Sequence, residues 1–239
     1  MSRQRFSLDR LRPLFYIAAS ALLAACPRQV EPLVPQPLVP ASRDSAAVWT
    51  LTTLQPGAVV IRFRWRYQDE RVRYAGRGSA RIAPPDSMRF DFAGPLGLGS
   101  GAAVVIGDTV AWADPEKNFR SLVPAIPMLW ASLGMVQAPP ATAAVFAAPA
   151  GDSVRVVWRF ARERDTLDLV ATRGSPRLLE AEWRRDGKVV ARSRTQLDAQ
   201  ARPIGARVDF PEAPARFELT VVGVDTAAVI PPALWRSRR

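Results

Sequence analysis

The stretch that most constrains this chain is Val59-Val60-Ile61-Arg62-Phe63-Arg64-Trp65-Arg66-Tyr67, in which every odd position is apolar and three even positions are arginine. Successive side chains of a strand point to opposite faces, so strict alternation demands a sheet with one dry face and one wet face. The pattern recurs: Val72, Tyr74, Gly76, Gly78, Ala80 and Ile82 alternate with Arg71, Arg73, Arg77 and Arg81, and Met88, Phe90 and Phe92 with Arg89 and Asp91. Further strands are expected at 102–106 and 110–113 around a Gly107-Asp108 turn, and near 154–160, 167–172, 178–184, 188–196, 204–210 and 215–224, with a hairpin turn at Asp186-Gly187. One-sided strands of this kind pair antiparallel, and about ten to eleven of them curl into a barrel or a sandwich. The small residues Gly76, Gly78 and Ala80 leave room for something bulky opposite, or let the sheet bend sharply.

Two segments change the period. Ala46 to Gln55 is expected to be a helix capped by Asp44 or Ser45 and ended by Gly57, with Val48, Leu51 and Leu54 on one face. Ile126 to Gly134 places Pro127 in a first helical turn and aligns Ile126, Leu129, Trp130 and Leu133. A helix inserted between strands has only the concave side of the sheet on which to bury such a stripe. Residues 138–150 read as an Ala/Pro-rich connector and 226–239 as a C-terminal tail.

The first 25 residues are not part of that domain. Arg3, Arg5, Arg10 and Arg12 precede an apolar run from Leu14 to Leu23, and Leu23-Ala24-Ala25-Cys26 follows. A basic start, a short apolar core and small residues before the cut make a secretory signal peptide. The run is too short to span a bilayer, which needs about 20 residues. Cys26, the single cysteine of the chain, stands where a bacterial lipoprotein carries its acylated residue; the alternative is an ordinary signal peptide with a chance cysteine. Residues 26–43, with a proline every few positions, read as an acylated N-terminus and an extended tether. The domain proper is expected over 44–225.

Composition narrows the chemistry. The chain contains no histidine, and Cys26 is committed to acylation, so Ser–His–Asp triads, Cys–His pairs and zinc sites of the usual kinds are excluded. Gly97-Leu98-Gly99-Ser100-Gly101 has no helix behind it to hold a phosphate. The carboxylates are scattered at turns and strand edges, and an enzyme is not expected. No cofactor is implied. The leader carries a net three of the eleven positive charges, which leaves eight on the exported chain. Export argues against nucleic acid as a partner. Attraction to an anionic membrane surface and a merely solubilising surface both remain open readings of the charge.

The order of elements, together with the lipobox, Arg89-Phe90-Asp91-Phe92-Ala93-Gly94-Pro95-Leu96-Gly97 and Ile126 to Gly134, resembles the LolB/LolA-like family of outer-membrane lipoprotein-localisation proteins over roughly residues 45–225. The resemblance implies an unclosed antiparallel β-barrel, mostly β, whose open concave side is plugged by helices. It implies a monomer that binds the acyl chains of other lipoproteins in an apolar cavity and passes them into the outer membrane while facing the periplasm. Its partners would be membrane lipid, lipoprotein acyl chains and a periplasmic carrier of the LolA type. Phe63, Trp65, Phe90, Phe92, Trp112, Leu129 and Trp130 are the expected cavity residues, and Leu96 matches a leucine that aids membrane insertion from a protruding loop, with Leu98 extending that tip. A lipoprotein of the same fold with a filled barrel and no transported ligand is the other reading.

Overall fold

In a computed structural model of the chain, residues 31–35, 37–95, 100–116, 125–149 and 154–235 are described. Among them thirteen strands form one antiparallel sheet. Chain order runs β1 (Val39–Pro40), α1 (Arg43–Leu51), β2 (Val59–Gln68), β3 (Arg73–Ala83), β4 (Ser87–Ala93), β5 (Gly101–Ile106), β6 (Thr109–Asp114), α2 (Ile126–Ser132) and β7 (Ala144–Ala147). It continues through β8 (Arg155–Arg162), β9 (Asp165–Thr172), β10 (Arg177–Arg185), β11 (Lys188–Leu197), β12 (Pro203–Phe210), β13 (Ala215–Asp225) and a 3-10 turn at Pro232–Trp235. Spatial order is β1-β7-β8-β9-β10-β11-β12-β13-β2-β3-β4-β5-β6, so β13 pairs with β2 and the ends β1 and β6 stay unjoined. The sheet curls without closing. Register shifts in β5, β10, β11 and β13 supply the local twist that curling needs.

The alternation decides which face is which. In the β2–β3 ladder Phe63 stands opposite Gly78 and Trp65 opposite Gly76, all on the concave side, while Arg64 stands opposite Arg77 on the convex side. Concave side chains from β2 to β13, together with Ala46 and Trp49 of α1 and Met128 to Leu133 of α2, make one continuous core. α2 lies over β10, β11 and β12, and the Thr195 hydroxyl donates to the Ala131 carbonyl at 2.7 Å. Gly134, at φ +79°, ends α2: its N–H donates to Ala131 O and that of Met135 to Trp130 O, satisfying carbonyls the helix leaves open.

The structure differs from the sequence reading in three places. α1 starts earlier than expected, with Ser42 as its cap, and buries Ala46, Trp49 and Thr50, whereas Val48 and Leu51 are exposed. Trp49 decides that orientation by packing on Trp158, ring centroids 5.9 Å apart. Part of the Ala/Pro connector forms β7, and Val39–Pro40 forms β1 beside it, which accounts for thirteen strands where about ten to eleven were expected. The proline-rich stretch is extended, but from Pro32 onward it belongs to the compact unit. Leu33, Val34 and Leu38 lie on the convex face over Val157 and Val170, forming a small second core.

That cover has an electrostatic consequence. Asp168 and Glu182 stand opposite one another on β9 and β10, fully buried on the convex side. Arg159 donates to Asp168 at 2.5 and 2.9 Å, Arg184 and Arg192 both pair with Glu182, and the Leu33 N–H reaches Glu182 Oε2 at 3.3 Å. Hydrogen bonds to Asp168 are the largest influence on Arg159 and raise its pKa above the ordinary arginine value. Two buried like charges are tolerated because three cations clamp them.

Candidate functional site

The concave side has a filled half and an open half. In the filled half, Gly76, Gly78 and Gly101 lack side chains, and neighbouring rings take the space. A Cβ at Gly78 would lie 2.4 Å from the Phe63 ring, one at Gly76 2.7 Å from Trp65, and one at Gly101 2.6 Å from Phe92. Phe63 stacks on Phe90 at 5.3 Å, Phe90 meets Phe92 at 6.2 Å, and Trp65 stacks on Phe217 at 6.3 Å. The Trp65 indole N–H donates to the Arg77 carbonyl at 3.2 Å. Four of the expected cavity residues (Phe63, Trp65, Phe90 and Phe92) are therefore brought together, but as a packed layer.

The open half holds a cleft of about 1080 Å³. One wall is β6 with the β5–β6 turn, another is α2 and the segment after it, and the third is the concave ends of β8, β9 and β10. Trp130, Met135, Phe160, Leu167, Leu169 and Trp183 give it an apolar lining. Its rim is charged. Asp108 in the β5–β6 turn faces Arg162 of β8 at 3.7 Å, and Arg185 pairs with Asp165 at 2.9 Å while lying 4.7 Å over the Trp183 ring. Arg185 is a permanent cation at physiological pH, and hydrogen bonding to Asp165, the largest influence on it, raises its pKa further. Gln137 also lines the cleft, and its buried Nε2 has no acceptor among the described residues. Volume, apolar walls and a few polar groups at the mouth are the attributes of a site for an apolar ligand.

Trp130 borders this cleft and fastens it: its indole N–H donates to the Gly107 carbonyl at 2.9 Å, tying α2 to the β5–β6 turn. Leu129, on the same helix, is buried in the core and does not line the cleft. Trp112 borders the cleft from the edge strand, but in register it shares the face of Arg89. Its indole N–H donates to the Trp235 carbonyl at 3.1 Å, and the Arg89 guanidinium lies 5.3 Å over its ring and donates to Leu234 O. Cys26, Leu96 and Leu98 lie outside the described residues. Sequence reasoning did not select Phe160, Leu167, Leu169 and Trp183. The same alternation on β8 to β10 marks all four as inward-facing. Gln137, in a connector without period, carried no signal.

No protein-family model and no curated protein matches the sequence. The fold does have known counterparts. A LolA superfamily protein from Nitrosomonas europaea superposes with a TM-score of 0.56 at 10% identity, covering 82% of this chain and 98% of that one. A domain described as a putative outer membrane lipoprotein-sorting protein domain, from Vibrio parahaemolyticus, superposes at 0.52 and 7% identity, covering 82% and 100%. At these identities the likeness establishes the LolA/LolB-like fold, the unclosed barrel with helices on its concave side.

Proposed function

We propose that this chain, built on the LolA/LolB-like fold, is a lipid-anchored envelope lipoprotein that takes acyl chains into the cleft between β6, α2 and β8–β10. In this reading it helps to insert lipoproteins or lipid into the outer membrane, from the periplasmic side. The observation that carries the proposal is the cleft itself: about 1080 Å³ of apolar-walled space on a fold shared with lipoprotein-sorting proteins. Phe160, Leu167, Leu169 and Trp183 would contact the chain, Gln137 would donate to an ester carbonyl, and the Arg162, Arg185, Asp108 and Asp165 rim would meet the polar end. Binding and release, with no covalent step, suit a chain without histidine. Cys26 would carry the anchor, and Leu96 and Leu98 would enter the bilayer during delivery.

One observation favours a second reading, a structural lipoprotein without cargo. The aromatic layer over Gly76, Gly78 and Gly101 already fills half of the concave side. Mass spectrometry of lipids extracted from the purified chain separates the two. A carrier yields diacyl or triacyl species at near-stoichiometric amounts and releases them to liposomes, whereas lipid-free protein that also refuses fluorescent fatty acids overturns the proposal. Fractionation tests the anchor: Cys26→Ser is expected to leave the chain as unprocessed precursor or in the soluble periplasmic fraction.

A further inference from the structure

The convex face is charged unevenly. On β8 to β13 its arginines are engaged by carboxylates: Arg159 by Asp168, Arg184 and Arg192 by Glu182, Arg194 by Glu180, and Arg207 and Arg216 by Asp209. On β2 and β3 the same alternation presents Arg62, Arg64, Arg66, Arg73 and Arg77, all exposed, and none of these five has an ion pair or side-chain hydrogen bond among the described residues. Among the described residues lining the groove that Arg62, Arg64 and Arg77 border, the one carboxylate, Asp91, is already shared by Arg81 and Arg89; Glu218 of β13 stands between Arg66 and Arg207 in register without an ion pair to Arg66. Arg64 stands directly opposite Arg77, a like-charge cross-strand pair that works against folding. That pair, set in a row of exposed arginines without ion pairs among the described residues, is locally unfavourable and calls for a compensating partner outside the chain.

The geometry indicates which partner. A shallow groove of about 470 Å³ runs along this face, bordered by Arg62, Arg64, Arg77 and Arg81 with the exposed Val222 beside it. At roughly 6.8 Å for every two residues, Arg62 to Arg66 extends about 14 Å, with the β3 row about 4.8 Å away. One phosphate would occupy two guanidiniums, so a row of this length suits an array of anions. Guanidinium forks bind phosphate oxygens in pairs, which lysine cannot do. Arg77 also pairs in register with Ala93, the last residue of β4, so the row reaches the end of that strand. We propose that the arginine rows of β2 and β3 form a docking surface for the phosphate headgroups of an anionic lipid bilayer. This rests on the reading of the protein as one that delivers cargo to a membrane, and it adds the face by which the domain would lie against it.

The test uses the chain from residue 27, which lacks leader and anchor but keeps the whole compact unit from Pro32. Sedimentation with phosphatidylglycerol vesicles is compared with phosphatidylcholine vesicles, at low and high salt. The parent is expected to bind the anionic vesicles, and salt is expected to weaken that binding. The variant Arg62→Gln/Arg64→Gln/Arg77→Gln is expected to bind on the order of 100-fold less, at about fivefold per arginine. A control with the same loss of charge, Arg194→Gln/Arg207→Gln/Arg216→Gln, is expected to lose several-fold at most. Equal losses in both variants, a parent indifferent to anionic vesicles, or arginine-dependent capture of polyglutamate without vesicle binding would each overturn the proposal. Fatty-acid uptake, read on the same preparations, reports on the cleft alone. It should stay at the parental level in both variants, and a fall confined to the β2–β3 variant would also overturn a docking surface separate from the cleft.

Discussion

The two halves of the concave face are made of similar residues and do different things. Over β2–β5, glycines create space and aromatic rings from adjacent strands occupy it. At β8–β10 equally large side chains stand around a cleft that no described residue fills. Apolar character alone therefore does not make a cavity; what matters is whether a neighbour across the strand can reach in. Substitution at Phe63 should give the largest effect and break or confirm this contrast. The side chain is 1% exposed, stacked on Phe90 and seated over Gly78. Phe63→Ala is expected to cost about 3–5 kcal/mol in chemical denaturation, while the fraction that stays folded takes up fatty acid normally. A nearly unchanged melt with lost uptake would mean that the filled half is the binding site.

Next in size is the buried charge cluster on the convex side of β9 and β10. Glu182→Gln keeps shape but removes the carboxylate that pairs with Arg184 and Arg192, while Arg184 stays 4.0 Å from Asp168. Breaking a buried pair costs about 3–5 kcal/mol, and the partial exposure of the two arginines, 21% and 30%, lets water soften that cost. A loss of about 2–3 kcal/mol is therefore expected by urea denaturation. A neutral result would show that the segment from Leu33 to Leu38 does not seal this face in solution.

The cleft gives the third test, in which binding and stability should part. Leu167 lines the cleft and is only half-buried, so Leu167→Asp is expected to cost little in folding. In a bound complex the same side chain would be covered by ligand, and losing roughly 1.5–3 kcal/mol of burial corresponds to about 10- to 100-fold weaker fatty-acid binding. Titration of a fluorescent fatty acid alongside a melting curve reads both at once. Unaltered affinity would exclude this cleft as the acyl site.

How far the chain could be read without coordinates follows from the same contrast. Alternation with a wet face, marked by arginine on most of them, reveals nine of the strands, and the Gly107-Asp108 turn reveals β5 and β6. It was silent for β1, two residues ending in Pro40, and for β7, set among alanines and prolines, because neither is long enough to show a period. The face of α1 was misjudged because counting apolar positions gave Val48 and Leu51 the weight that belongs to Trp49, whose ring meets Trp158. The cavity was sought among the bulkiest side chains, and Trp130 and Trp112 do border the cleft. Phe63, Trp65, Phe90 and Phe92 do not, because Gly76, Gly78 and Gly101 accept three of those rings within the sheet itself. Glycine positions in the sequence hint at such an arrangement; only the register between strands makes it definite.

The smallest effect separates paired from unpaired arginines on the convex face. Arg64 and Arg77 are exposed, directly opposite, and without carboxylate partners among the described residues, whereas Arg207 and Arg216 share Asp209 at 2.7 and 3.0 Å. Removing a charge from the first pair relieves repulsion; removing one from the second loses an attraction. Cross-strand pairs on a wet face are worth about 0.2–1 kcal/mol, and exposed ion pairs fall in a similar range. Arg64→Gln is thus expected to raise stability by a few tenths of a kcal/mol, and Arg207→Gln to lower it by about as much. Both shifts should shrink in high salt, because solvent ions screen exposed charges beyond about 10 Å at 0.1 M and more tightly above that. Melts of the two variants at low and high ionic strength check the signs as well as the sizes. If Arg64→Gln is destabilising, then Arg64 has a stabilising role within the fold, and the case for an external partner on β2 and β3 loses its physical basis.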